Sequence, residues 1–80
     1  MDHTTQSETA RARRILTTFA DIGPCHVVKL AAILNEHPIS IDRSCDRLQQ
    51  DGQLRRQHGG IYEITDAGVA VLANVPREQA

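Results

Sequence analysis

This chain of 80 residues is nearly devoid of aromatic side chains, with one Phe, one Tyr and no Trp. A core must therefore be assembled from Leu, Ile, Val and Ala, which suits short helices packed on one another. Net charge is lacking too. Nine Lys and Arg oppose ten Asp and Glu, a formal charge of −1, so the chain is no polycation that coats nucleic acid, and any such binding must come from where single charges sit. No apolar run approaches the ~18 residues of a membrane span, and the opening "MDHTTQSETARARR" has no apolar segment of the kind a secretory signal needs. Cys25 and Cys45 stand far apart with no C-x-x-C spacing. From these absences we expect a soluble, cytoplasmic protein with reduced thiols and no membrane association.

Catalytic signatures are missing as well. There is no Gly-rich phosphate loop, no nucleophile elbow and no pair of carboxylates with room for a pocket. The expectation is a protein that is not an enzyme and needs no cofactor. A chain of this size buries only roughly 60% of its unfolded surface. One domain over residues 8–74 is expected, with loose flanks at 1–7 and 75–80.

The periodicities organise that domain. Thr5-Gln6-Ser7-Glu8 has the form of a capping box, and Ile15, Leu16, Phe19 and Ile22 then share one helical face until Gly23-Pro24 stops it. In "CHVVKLAAILNEHP", Val27, Leu30, Ala31 and Leu34 have helical spacing, with Asn35 near the C-cap and Pro38 beyond. Ile41, Cys45 and Leu48 form the narrow stripe of a third helix, over about 40–51. Asp42, Arg43, Ser44, Asp46 and Arg47 lie elsewhere on its wheel, and Gly52 closes it.

In "QLRRQHGGIYEIT", residues 53–65, Leu54 lies on one arm of a hairpin and Ile61, Tyr62 and Ile64 on the other. His58-Gly59-Gly60 supplies the tight reversal, and the register stays open because Gly60 is compatible with a bulge. Thr65-Asp66-Ala67-Gly68 reads as an N-cap turn into "VAVLANV", long enough for about two turns of helix. The fold class is thus mainly α with a small β-hairpin, that is α+β. The short connection between the second and third helices has the length a helix-turn-helix needs.

The run "VVKLAAILNEHPISIDRSCDRLQQDGQLRRQHGGIYEITDAGVAVL" resembles a winged helix-turn-helix transcriptional regulator. It is similar in pattern to small MarR-like, PadR-like and archaeal phage-repressor-like domains, over Gly23 to Leu72. Leu48, Asp51, Gly52, Leu54, Ile64, Thr65 and Gly68 occupy the matching places in its most telling block. The resemblance implies a three-helix core, a two-stranded wing and a short C-terminal helix. It also implies double-stranded DNA as partner and a homodimer paired through helix 1 and the C-terminal helix.

In such a domain the third helix enters the major groove, which points to Ser40, Arg43, Ser44 and Arg47 as recognition residues. Arg43 is the expected reader of a guanine through its two-donor fork, and Arg47 the expected phosphate clamp. Lys29, Arg55 and Arg56 are further phosphate candidates, with His58 and Gly59 at the wing tip. The pattern is not met everywhere. The tip "QHGG" carries no Lys or Arg, and Asp42 and Asp46 would repel phosphate unless they accept from cytosine or pair with Arg43 and Arg47.

Three other features have plainer explanations. Arg11, Arg13 and Arg14, tempting as a DNA arm, read as a solvated helix face. Cys25, His26, His37, Cys45 and His58 match no standard ligand spacing, so no metal is expected, and Cys45 falls where a small apolar residue belongs. The alternative to DNA binding is a winged helix used as a protein–protein interaction module within a larger assembly, which near-zero net charge and two acids on the third helix would suit.

Overall fold

The computed structural model describes the backbone of residues 3–73 and the side chains of residues 10–73. The chain runs α1 (His3–Ile22), β1 (Cys25–His26), α2 (Val27–Leu34), α3 (Pro38–Gln50), β2 (Leu54–Arg56), β3 (Ile61–Ile64) and α4 (Asp66–Ala73), with a 3₁₀ turn at His58–Gly60 before β3. It is mainly α with a small antiparallel sheet. The helix begins at His3, so Thr5 lies inside it and residues 3–7 are helical. The side chains of the Thr5/Glu8 capping box, residues 1–2 and the tail at 75–80 lie outside what is described.

One core joins the elements, with Leu72 of α4 packed against it as a partly buried residue. Ile15, Leu16 and Phe19 of α1, Leu30 of α2, and Ile41 and Cys45 of α3 are almost fully buried, and Leu54 and Tyr62 of the sheet close the cluster. Burial of side chains of this size contributes about 1.5–3 kcal/mol each. That stripe is why three short helices hold one another. Ile22 departs from the expected face: it is the last residue of α1 and is 44% exposed.

The sheet has three strands, not the two of a simple hairpin. The order is β1-β3-β2, with Cys25 opposite Tyr62, His26 opposite Ile61, and Leu54 opposite Ile64. Cys25 and His26 look like the start of the second helix because Val27 follows with helical spacing. After Gly23-Pro24 they instead take an extended conformation and find their ladder partners on β3.

Local signals place the ends of α2 and α3. The imidazole Nδ1 of His26 accepts from the Val28 N–H at 3.0 Å, and that of His37 accepts from the Ile39 N–H at 3.2 Å, so each helix is N-capped by a histidine. Pro38 occupies the first turn of α3, where its missing N–H is no loss. Both helices end in the same paired bonds. Glu36 N–H reaches Ala31 and Asn35 N–H reaches Ala32; Gln53 N–H reaches Leu48 and Gly52 N–H reaches Gln49. Only residues 35–37 connect the two helices.

The end of the sheet is tied back to the end of α3. The Thr65 hydroxyl donates to the Gly52 carbonyl at 2.6 Å and accepts from the Gly68 N–H at 3.2 Å, which caps α4. A Cβ on Gly68 would lie 2.4 Å from the Gln53 carbonyl oxygen. The spacing from Thr65 to Gly68 is therefore a close backbone approach that admits no side chain. At the other end of the hairpin, Gly59 and Gly60 have φ of 73° and 76°, the left-handed region that lets the chain reverse in so few residues.

Candidate nucleic-acid interface

α3 presents two chemically different flanks beside its buried stripe. Ser40, Arg43, Ser44 and Arg47 line the flank toward α1, the two serines half-buried and the two arginines exposed. Asp42 and Asp46 occupy the other flank. Their charges act on Tyr62 of β3, which directs that flank toward the sheet. Asp46 accepts a hydrogen bond from Gln50 at 3.0 Å. Among the described residues Arg43 has no hydrogen-bond or ion-pair partner, so the pairing of Asp42 or Asp46 with Arg43 is not formed.

Between α1 and α3 runs a groove of about 340 Å³ whose lining includes Arg11, Ser40, Arg43, Ser44, Arg47 and Asp51. Arg11 and Arg14 are not the plain solvated face expected of them. Each reaches Glu36 at 3.4 Å, and Arg14 also donates to the Leu34 carbonyl at 3.2 Å, one of the free acceptors at the end of α2. Two cations thus hold the single acid in the α2–α3 turn. Arg13 is exposed.

The hairpin distributes its charges differently. Arg55 faces Glu63 directly across β2 and β3 and pairs with it at 2.9 Å, and Gln57 donates to the same carboxylate. Arg55 is therefore committed within the sheet. Arg56 is exposed opposite Tyr62. Burial raises the Tyr62 pKa, the Arg56 charge opposes that rise, and Asp42 and Asp46 add to it. His58 and Gly59 are exposed at the turn, and Lys29 is exposed on the first turn of α2. The structure therefore divides the DNA candidates into an α3 group facing α1 and a hairpin group around Arg56, with Lys29 on a third element.

Both cysteines are buried free thiols. Desolvation, reinforced by Asp42 and Cys25, pushes Cys45 up to about 12, and burial also raises Cys25 against the lowering effect of Lys29. Neither is poised as a thiolate. Among the described residues no three His, Cys, Asp or Glu side chains gather as a metal site, and no helix is long and apolar enough to cross a membrane.

Two roles escaped the sequence. The spacing of Arg11 and Arg14 puts them on one helical face, which could have suggested a shared acid, but nothing local names Glu36 as that acid. The histidine caps precede their helices in the right places, yet histidine is not among the preferred N-cap residues. The chain matches no known family model, no curated protein and no solved structure.

Proposed function

We propose that this protein is a sequence-specific double-stranded DNA-binding regulator of the winged helix-turn-helix kind, acting in the cytoplasm as a homodimer and most simply as a repressor. In this reading α3 enters the major groove and the β2–β3 hairpin serves as the wing. The observation that carries it is the basic flank of α3. Ser40, Arg43, Ser44 and Arg47 follow a three-residue turn, on a helix whose other side is anchored by Ile41, Cys45 and Leu48. Arg43 has no partner among the described residues and offers the two-donor fork that suits guanine. Arg56 and Lys29 are exposed cations suited to phosphates, and Arg55 contributes less because Glu63 already neutralises it.

The pairing of two copies through α1 and α4 is part of the proposal. Val69 and Val71 of α4 and Ile22 of α1 are exposed apolar residues. Two α3 helices so paired would address half-sites separated by roughly 34 Å on a near-palindromic operator. Selection of bound sequences from a randomised duplex library, with the mass read by light scattering, tests both statements. Enrichment of a two-fold symmetric motif by a dimer is the expected result, and a folded protein that enriches nothing overturns it.

A protein-contact role is the second reading, favoured by one observation. Ile39, at the head of α3, is 63% exposed, and Val28 and Ile33 of α2 are exposed as well. Salt dependence separates the two: phosphate contacts give log K a slope of about −0.9 per neutralised phosphate, which a protein groove need not show.

A further inference from the structure

We propose that the groove between α1 and α3 is a binding site for a small hydroxylated phosphomonoester, in chemical terms a sugar phosphate. Its volume of about 340 Å³ is at the low end of the range for small-molecule sites, too small for a large cofactor and adequate for one phosphate with a short polyol. Its charge is uneven. Arg11, Arg43 and Arg47 line it against one carboxylate among the described residues, Asp51, and Arg43 has no counter-ion among them. Ser40 and Ser44 put two hydroxyl donors on the same wall.

This end of the groove, next to the α2–α3 turn, has the composition that binds a phosphate dianion: planar guanidinium forks with hydroxyls between them. Arg11 stands on α1, across from these α3 side chains, so an anion in the groove meets guanidinium groups from two helices. Asp51, at the C-terminal end of α3, and Gln53 beyond it line the far end of the groove. A carboxylate there repels a phosphate but accepts hydrogen bonds from hydroxyls, so the phosphate seats by Arg43 and the polyol extends toward Asp51.

Occupancy has a consequence that rests on the DNA-binding reading. The ligand engages Arg43 and covers Ser40 and Ser44, so ligand and operator compete for one flank of α3. Such a ligand is an inducer by direct competition, with no conformational change required.

The full chain is titrated with inorganic phosphate and with glucose 6-phosphate at constant ionic strength, followed by calorimetry and by arginine side-chain NMR signals. Saturable binding is expected, tighter for glucose 6-phosphate than for phosphate. Arg11→Met and Arg43→Gln should each weaken it by about tenfold or more, and Asp51→Asn should narrow the preference for the sugar phosphate. Arg11→Met also removes a contact to Glu36, so Arg43→Gln, at an exposed residue with no partner among the described residues, decides the matter if the first variant unfolds. No saturation, an equal response to chloride, or binding indifferent to Arg43→Gln overturns the site. Titration without DNA separates the two ideas. Binding with no operator ever selected keeps the groove and removes the regulator, whereas a selected operator with no phosphate binding does the reverse.

Discussion

The two flanks of α3 belong to one helix and share one buried stripe, yet they meet different neighbours and carry opposite charge. Toward α1 stand Ser40, Arg43, Ser44 and Arg47 above a groove; toward the sheet stand Asp42 and Asp46, near Tyr62. A helix can hold such a division because residues three and four apart share a side, so cations at 43 and 47 and acids at 42 and 46 form two separate rows. The difference teaches where an anion can approach. It must come from the α1 side or over the outer edge, since the sheet side repels it, and the cations of the hairpin then have to reach it from beyond the acids. Arg56 is the hairpin arginine not taken up by Glu63.

The largest test removes the stripe on which both flanks depend. Ile41 is fully buried, so Ile41→Ala should cost about 2–5 kcal/mol in urea unfolding. A loss under about 1 kcal/mol would mean that α3 is not anchored as described.

Alkaline pH attacks the same stripe through Cys45. Its folded-state pKa is raised from 9.0 to about 12, so the folded protein holds the thiol proton more tightly than the unfolded chain. Below pH 9 both states are protonated and nothing changes. Above it stability should fall as pH rises, by up to about 1.4 kcal/mol per pH unit until about 12. Urea melts of the native protein and Cys45→Ala between pH 8 and about 10.5 compare the slopes, and equal slopes would remove Cys45 as the cause.

The basic flank and the hairpin separate next. Arg43→Ala should cost about 1–3 kcal/mol and relax preference at one base position, whereas Arg56→Ala should weaken binding to all sequences alike. Equal, uniform losses would sink that division of labour. The smallest effect belongs to the acidic flank. Asp46→Asn keeps an oxygen to accept from Gln50 and removes one repelling charge, so DNA affinity should rise by less than about 1 kcal/mol and the gain should vanish at high salt. A fall in affinity would instead place Asp46 against a base.

Much of the fold was legible residue by residue. Apolar spacing marked Val27, Leu30, Ala31 and Leu34 and the stripe of Ile41, Cys45 and Leu48, and all seven are buried. Asn35 and Gly52 marked two helix ends correctly because the left-handed bend there depends on local residue type. Cys25 and His26 were not legible as a strand, since a two-residue strand has no periodicity of its own. Their conformation comes from Tyr62 and Ile61, far along the chain.

For the candidate site the line between local and distant falls in the same place. The order of charges along α3, and hence its two rows, is a property of the sequence alone, because helical geometry converts spacing into sides. Which row faces a groove and which faces the sheet was decided only when α1 and β3 packed against α3. Packing also turned Arg11 and Arg14 from a solvated face into a clamp on Glu36, and spent Arg55 on Glu63. Short-range spacing acts through bond geometry that every helix shares, whereas the partners of a charge depend on which distant surfaces the burial of apolar area brings together.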